Sequence, residues 1–584
     1  MYLRTIKVPS SNGSVNEYVR VVESYREDGK VKQRTIVDLG RKDLLTVLLP
    51  QLQRLLQGET SRPNEPDGDI DVLEAATWGP VLVVRALFDQ LGLWDIFDAL
   101  LGKAKKGAPF TDRAFVLLAN RLSHPCSEHG LARWLETDFV CDRQGRRFLP
   151  HWHQRRRVQV HHRQLDGWYR TLDQLVKAKS QIEVALYGRL RDLFSLRPDL
   201  VLFDITSTYF EGQGPKNFAH HGYSRDGKSQ NVQVVVGLVM VAGWPIAHHV
   251  WEGNRMDATT VQEVISDLTT RFHFGRIIFV GDRGMVSDDN IEALLGDSHG
   301  YLVGLKRRRN AQLDAWLQTL DDSKWVDCPM GITASEQQAK PLRTRVQEVA
   351  SGDAARRVFV IDSDERRAYE EGKRQQSMER TRIKLASVQA RVTQGRLKKP
   401  EEIGAAAERA LRAHHGYRYF SWEIRAGAFV FFENPRRLEP EKRLEGKYVI
   451  ATSEKDIDAK EAVALYKQLT EVERSFRHLK DVLALRPIHH QVAPRVKAHI
   501  FVAALALLLQ TLLERRLKEA GVKLSAPEAL QAMTTIRHVT FKVNGEQRSG
   551  VSAASARAQE ILRALGITNL RPPPPPPGEP AVVS

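Results

Sequence analysis

The chain has 584 residues, 42% of them hydrophobic and 27% charged, and its 87 Lys and Arg against 71 Asp and Glu give a net charge of +16. That excludes a long disordered polymer and supplies core material for roughly two to four domains. Three cysteines (Cys126, Cys141, Cys328) exclude a disulfide scaffold and fit a reducing cytosol. The opening MYLRTIKVPSSNGSV lacks the apolar run of a signal peptide. The longest apolar stretch, Ile500 to Leu513, falls short of the about 20 residues that cross a bilayer and is expected to be a buried helix. Nucleic acid is a natural partner for so basic a chain.

In chain order, Tyr18 to Tyr25 and Val31 to Leu39 are strand-like around Glu27-Asp28-Gly29-Lys30, which predicts a β-hairpin. A helix is expected from Lys42 to Leu56, then a polar linker from Ser61 to Asp69. From Val81 to about Leu196 the spacing is helical, enough for about four to six helices. Lys103, Lys105 and Lys106, then Arg155, Arg156 and Arg157, make this a candidate DNA-binding region, with a solvated charged face as the alternative. Cys126, Cys141, His151 and His153 lack the paired spacing of a zinc finger and are read as buried thiols and surface histidines.

The middle of the chain changes period. Leu200 to Phe203 is a buried strand running into Asp204; Val232 to Ala242 and Pro245 to Trp251 are strands. Asp257 to Phe272 is helical, with Val261, Val264, Ile265 and Leu268 on one face. Ile277 to Val280 is a strand ending at Gly281-Asp282, Asp288 to Leu295 a short helix, and Tyr301 to Leu305 a fifth strand. The order βββαβαβ is that of a ribonuclease-H-like mixed sheet, in which the first and fourth strands are neighbours. Asp204 and Asp282 would then converge. Convergent carboxylates repel unless a cation lies between them, and Mg²⁺ prefers such oxygens. Two ions about 3.5–4 Å apart suit in-line attack on a phosphodiester. Taken singly, Asp204 could bond its own turn and Asp282-Arg283-Gly284 could be an ordinary turn.

After Leu305 the sheet pattern is expected to stop. Asp364 to Lys399 reads as a charged helix with 11 Lys and Arg against 5 Asp and Glu. Lys398-Lys399-Pro400 breaks it, and Glu401 to His414 resumes a helix. A solvated helical hairpin and a basic arm along a phosphate backbone both remain open. Phe420 to Asn434 and Lys447 to Ala451 are strand-like. A helix follows from Ala459 to Leu485. Tyr466, Glu473 and Lys480 lie seven apart on nearly one face, shared by Arg477, while Glu471 points elsewhere. Glu473 is the candidate third acid, two cations could meet phosphate, and the phenol could bond or stack. An amphipathic helix with its polar side to water is the competing reading.

These motifs together resemble the DDE transposases of bacterial insertion sequences, in the IS-four superfamily and its IS-sixteen-thirty-four-like branch. The family's Y-x2-R-x3-E-x6-K signature reads here as Tyr466, Leu469 in place of Arg, Glu473 and Lys480. FDITSTYFEG surrounds the first acid and VGDRGM the second. HHGYSRDGKSQNVQVVVGL, EGNRMD, LRPIHH and RVKAHIFVAALALLL match further family segments, so that the resemblance spans roughly residues 195 to 515. It implies a cut-and-paste recombinase that binds the terminal inverted repeats of its element. Asp204, Asp282 and Glu473 would hold two Mg²⁺ or Mn²⁺ ions and carry hydrolysis and strand transfer at one site. Tyr466, Lys480 and Arg477 would contact DNA. Trp422 is a candidate for stacking on a flipped base, although a buried Trp explains it as well. His489, His490 and His499 are assigned to packing or phosphate contact, not metal.

The resemblance further implies double-stranded DNA as partner (transposon ends and target), a homodimer in the synaptic complex, and a bacterial, cytoplasmic, nucleoid-associated protein. A ribonuclease-H-like nuclease without strand transfer, and a decayed DNA-binding protein, are the alternatives. The expected architecture is α/β. A β-hairpin and helix (1–60) and an α-helical region (70–196) precede a ribonuclease-H-like core (197–305 and 447–520). The core carries a large insertion domain (306–446) between its fifth strand and the Glu-bearing helix. A C-terminal region (521–570) and a disordered proline-rich tail (571–584) follow.

Overall fold

The computed structural model describes residues 2–9, 15–27, 30–42, 45, 70–149 except 106, 159–282, 284–285, 287–305, 311–328, 343–577 except 354 and 544, and 582–583. The chain divides into two compact units, one of residues 1–190, 210–215 and 477–584, the other of 191–209 and 216–476.

The hairpin is present as β2 (Val15–Glu27) and β3 (Lys30–Arg41), joined on its other edge by β1 (Tyr2–Pro9), a strand the sequence did not suggest. Glu27 pairs with Lys30 as the Asp-Gly turn requires, with Asp28 and Gly29 themselves outside the described residues. Most of the helix expected from Lys42 to Leu56, and the linker from Ser61 to Asp69, also lie outside them. Next come β4 (Ile70–Thr77) and the helices α1 (Gly79–Leu91), α2 (Leu93–Leu100), α3 (Phe110–Ser123) and α4 (Leu131–Thr137). After β5 (Arg147–Phe148) runs the long helix α5 (Gln159–Phe194). Pro80 opens α1 in its first turn, where a missing N–H costs nothing, and Gly92 closes it in the left-handed region.

The second unit is built on one mixed sheet. Its first five strands are β6 (Leu200–Tyr209), β7 (Gln233–Val241), β8 (Trp244–Glu252), β9 (Ile278–Gly281) and β10 (Gly300–Gly304). Helices α6 (Val261–Thr270) and α7 (Asp288–Gly296) supply the two crossovers. The spatial order is β8-β7-β6-β9-β10; β6, β7 and β8 are antiparallel, and β9 and β10 run parallel to β6. Every residue of β7 is buried, which is why VVVGLVMV reads as an unbroken apolar run without alternation.

The sheet does not stop at Leu305. After α8 (Ala311–Gln318), it continues through β11 (Val326–Asp327), β12 (Thr344–Val349) and β13 (Arg357–Ser363), reaching β10 by way of a later strand. The residues between form a helical arm: α9 (Asp364–Thr393), α10 (Pro400–Ala413), the hairpin β14 (Phe420–Arg425) and β15 (Ala428–Glu433), and α11 (Pro435–Leu444). The arm has its own core, with Leu385, Ile403, Ala407, Leu411, Phe420 and Phe429 all at 3% exposure or less. Its basic surface is therefore carried on a packed hairpin. β16 (Lys447–Thr452) then returns between β13 and β10.

The expected single helix from Ala459 to Leu485 is three pieces: α12 (Ala459–Lys467), α13 (Leu469–Arg477) and a π-turn, His478–Val482. Beyond it, α14 (Ala493–Glu519) is long and apolar enough to cross a membrane by composition, but 83% of that window is buried against protein, as a core helix requires. The chain ends with α15 (Ala526–Met533), β17 (Arg537–Val543), β18 (Glu546–Val551) and α16 (Ala556–Ala564), with β17 pairing β4 from the other end of the sequence. The described residues of the tail, 571–577 and 582–583, are in part packed on the protein. The carbonyl of Pro573 lies against Gly145, and β19 (Val582–Val583) pairs in parallel with β5. Composition marks polyproline as extended, but cannot show that a glycine elsewhere leaves a place for it.

Candidate active site

The parallel ladder between β6 and β9 joins Leu200 to Ile278, Val201 to Phe279 and Leu202 to Val280. Asp204 and Asp282 each lie two residues beyond the last pair of this ladder, and Asp282 is close enough for its charge to act on Asp204. The strand itself continues through Asp204 to Tyr209, paired with β7 all the way. Asp204 is thus in mid-strand, not at its end, and the element that stops is β9. The sequence ITSTY misleads because Thr and Ser suggest a turn. Here Thr206, Ser207 and Thr208 are buried strand residues. Asp282 enters a turn closed by Met285 N, which donates to the Asp282 carbonyl at 3.0 Å. Ser287 then caps α7, its Oγ accepting from Asn290 N at 3.2 Å.

Glu473 is exposed on α13, whose other face buries Leu469, Val472, Ser475 and Phe476. Ser475 Oγ lies 3.4 Å from Met240 Sδ of β7, so this helix is seated on the sheet. Burial raises the Asp204 carboxyl from its ordinary 3.8 to about 7, opposed by the Ile205 N–H; the negative charges of Asp282 and Glu473 raise it further, and Arg225 pulls it back. The Ile205 N–H donates to Asp204 Oδ1 at 2.8 Å. Three carboxylates from β6, the turn after β9 and α13 therefore share one electrostatic environment. An all-oxygen, one-sign donor set of this kind fits a hard divalent cation such as Mg²⁺ or Mn²⁺.

The other predicted residues fall differently. Tyr466, at the end of α12, has its ring 6.0 Å from that of Tyr448. The break after Lys467 and the wider π-turn shift the helical phase, so a spacing of seven no longer keeps one face. Glu473 and Arg477 are exposed, whereas Lys480 is buried. Trp422 is half-buried at the edge of the arm core, its ring 5.7 Å from Phe429 and its Nε1 donating to Glu408 Oε1 at 3.2 Å. Those contacts explain it as a packing residue. Lys103 and Lys105 are exposed, while Lys106, Arg155, Arg156, Arg157, His151 and His153 lie outside the described residues.

Glu128, His490 and His499 bring ligand atoms within 4.8 Å of one another, the one grouping of this kind among the described residues. It is not a metal site. His499 Nδ1 faces Arg121 Nη2 at 3.3 Å and Nε2 faces the Leu485 carbonyl at 3.2 Å, so both ring nitrogens are engaged. The guanidinium already supplies the positive charge, and His490 Nε2 lies 3.6 Å from Glu128 Oε1. Arg225, Asp257 and Asn290 were not singled out from the sequence. The first two lie inside HHGYSRDGKSQ and EGNRMD, segments with no assignable chemistry until their contacts are seen.

The family described as "Transposase DDE domain" matches residues 197–509, and "IS1634 family transposase, N-terminal domain" matches residues 3–68. No curated protein sequence matches the chain. Among solved structures, the cryo-EM structure of a piggyBac transposase synaptic complex with hairpin DNA is similar with a TM-score of 0.35 at 10% identity. The likeness covers 87% of this chain and 89% of that one. More than half of the sequence, including both aspartates and the glutamate, lies within the first match, and the chain belongs to the DDE transposases, in the IS1634 family.

Proposed function

We propose that this protein binds the terminal inverted repeats of its own insertion sequence and carries out metal-dependent DNA cleavage and strand transfer on a ribonuclease-H-like core. The observation that supports this reading is that Asp204 and Asp282 each follow the paired segment of β6 and β9 by two residues, with the charges of both Asp282 and Glu473 acting on Asp204. Asp204, Asp282 and Glu473 would hold Mg²⁺ or Mn²⁺, which when bound activates the attacking oxygen and stabilises the leaving one. The protein's own part is to hold the three carboxylates on three elements, one in a strand of the sheet, one in the turn after a neighbouring strand and one on a helix packed against the sheet. Arg477, Lys480 and Tyr466 are the proposed contacts to DNA, with Lys480 depending on a rearrangement that uncovers it. A homodimer pairing two transposon ends in a bacterial cytoplasm completes the reading.

The test is cleavage of DNA carrying the element's ends, with Mg²⁺ or Mn²⁺, by the wild type and by Asp282→Ala. The expected result is cleavage by the wild type, and binding without cleavage by the variant. Cleavage without joining of the ends to target DNA would favour a nuclease. Equal cleavage by both proteins would remove Asp282 from the site.

A further inference from the structure

The two aspartates stand on different elements, and their spacing must be held by something other than the strand ladder, which stops at Leu202 and Val280. Ser207, three residues beyond Asp204 on β6, accepts at Oγ from the backbone N–H of Arg225 at 3.0 Å. Arg225 lies in the connection between β6 and β7. Its Nη2 donates to Asp257 Oδ2 at 2.6 Å, with both side chains less than one-third exposed. Asp257 begins the short turn ahead of α6, and the second-acid turn lies directly on it. A Cβ added at Gly284, two residues after Asp282, would stand 3.1 Å from Asp257 Oδ2. Buried Asn290 joins the same two turns, its Nδ2 donating to the Ala258 carbonyl at 2.7 Å and to the Met285 carbonyl at 2.8 Å.

The connection that carries Arg225 is itself held. Gln233 Nε2 donates to the Gly253 carbonyl at 2.8 Å and to the Tyr223 carbonyl at 3.2 Å. A Cβ at Gly222 would come 2.2 Å from the Gly253 carbonyl oxygen, so no larger residue fits there. HHGYSR and EGNRMD are thus one folded brace.

We propose that Arg225 and Asp257 are positioning residues: their ion pair ties the first-acid strand to the second-acid turn and so sets the separation at which Asp204 and Asp282 receive a divalent cation. The inference rests on the metal-dependent reading of the acids. The pair holds the backbone on either side of the acids, and the Arg225 charge also acts on Asp204 directly. Residues that orient metal ligands in this way typically change metal affinity by about 10–100-fold when removed.

The test uses the full-length protein and Mn²⁺ as probe, followed by electron paramagnetic resonance or calorimetry without DNA, and then by end cleavage. Asp257→Asn and Arg225→Gln are each expected to weaken Mn²⁺ binding about tenfold or more. The concentration for half-maximal cleavage should rise in parallel, with DNA-end binding within about twofold of wild type. Arg225→Lys, which keeps the charge, should recover part of the loss. Thermal melting identifies any variant that fails to fold, and Arg225→Lys with Asp257→Asn then carries the comparison. Wild-type Mn²⁺ binding that is unchanged in folded variants overturns the positioning role alone. A wild type that binds no Mn²⁺ overturns the metal reading of the acids and this inference with it.

Discussion

Each unit contains a cluster of titratable side chains, and the two are opposites. In the first unit, Glu128 meets His490, and Arg121 meets His499 and two backbone carbonyls, so charges of both signs lie together. Glu128 is held below the ordinary carboxylate range by its hydrogen bond and attraction to His490, which outweigh burial. His499 is held neutral by burial and by the neighbouring Arg121. In the second unit, Asp204, Asp282 and Glu473 are of one sign, and Asp204 is pushed up rather than down. The mixed cluster completes itself with protein. The acids around Asp204 add charge of its own sign, and that contrast separates the two clusters more surely than residue type, since the mixed cluster contains the better-known metal ligands.

The sharpest test of the contrast is removal of one acid from each. Asp204→Asn, Asp282→Ala and Glu473→Gln should each lower end cleavage by at least about a thousandfold, on the order of 4 kcal/mol of barrier. The Asp204 and Asp282 variants should melt unchanged or higher, because a like charge has been removed beside its neighbour. Glu128→Ala should do the reverse. It leaves Arg121 buried without its counter-charge, a loss of roughly 3–5 kcal/mol read by denaturant unfolding. Acid variants that melt lower, or a Glu128 variant that melts normally, would erase the distinction.

A smaller effect comes from a mixed cluster inside the second unit. Asp267 Oδ1 accepts from Arg271 Nε at 2.8 Å, and His249 Nε2 lies 3.3 Å from Asp267 Oδ2. Burial alone would raise this carboxyl, but the hydrogen bonds and charges of His249 and Arg271 hold it at about 2 against an ordinary 3.8. A depressed acid stabilises the fold above its unfolded value and loses that contribution as pH falls towards the folded one. Asp267→Asn should therefore cost about 2 kcal/mol near pH 7 and progressively less from pH 4 to pH 2, followed by denaturant titration at each pH.

Much of the acid edge was legible because its signals are local. Apolar runs mark β7 and β9, and Asp-x-Gly marks the turn after β9. What was not legible depends on distant partners or on helix irregularity. β12 and β13 sit among charged residues and declare themselves only when β16 pairs with β13. The brace of Arg225 and Asp257 joins residues in two separate connections. The π-turn at His478 leaves no mark in a sequence that reads as an uninterrupted amphipathic helix, and so the seven-residue spacing does not keep Lys480 on the face of Glu473.

That misphasing yields the mildest prediction. Arg477 ends α13 exposed, whereas Lys480 is buried in the π-turn. If exposed cations carry the sequence-independent part of DNA binding, Arg477→Ala should weaken binding to transposon ends and unrelated duplex alike, by roughly 1 kcal/mol or less at moderate salt. It should also reduce the slope of log affinity against log salt by about one. Lys480→Ala should leave that slope unchanged in the free protein's first encounter with DNA and act only on later steps, because a buried ammonium releases no counterion until it is uncovered. A filter-binding or anisotropy series across salt separates the two. Equal slopes for both variants would mean that the π-turn opens on binding and that the continuous helical face is restored when DNA is present.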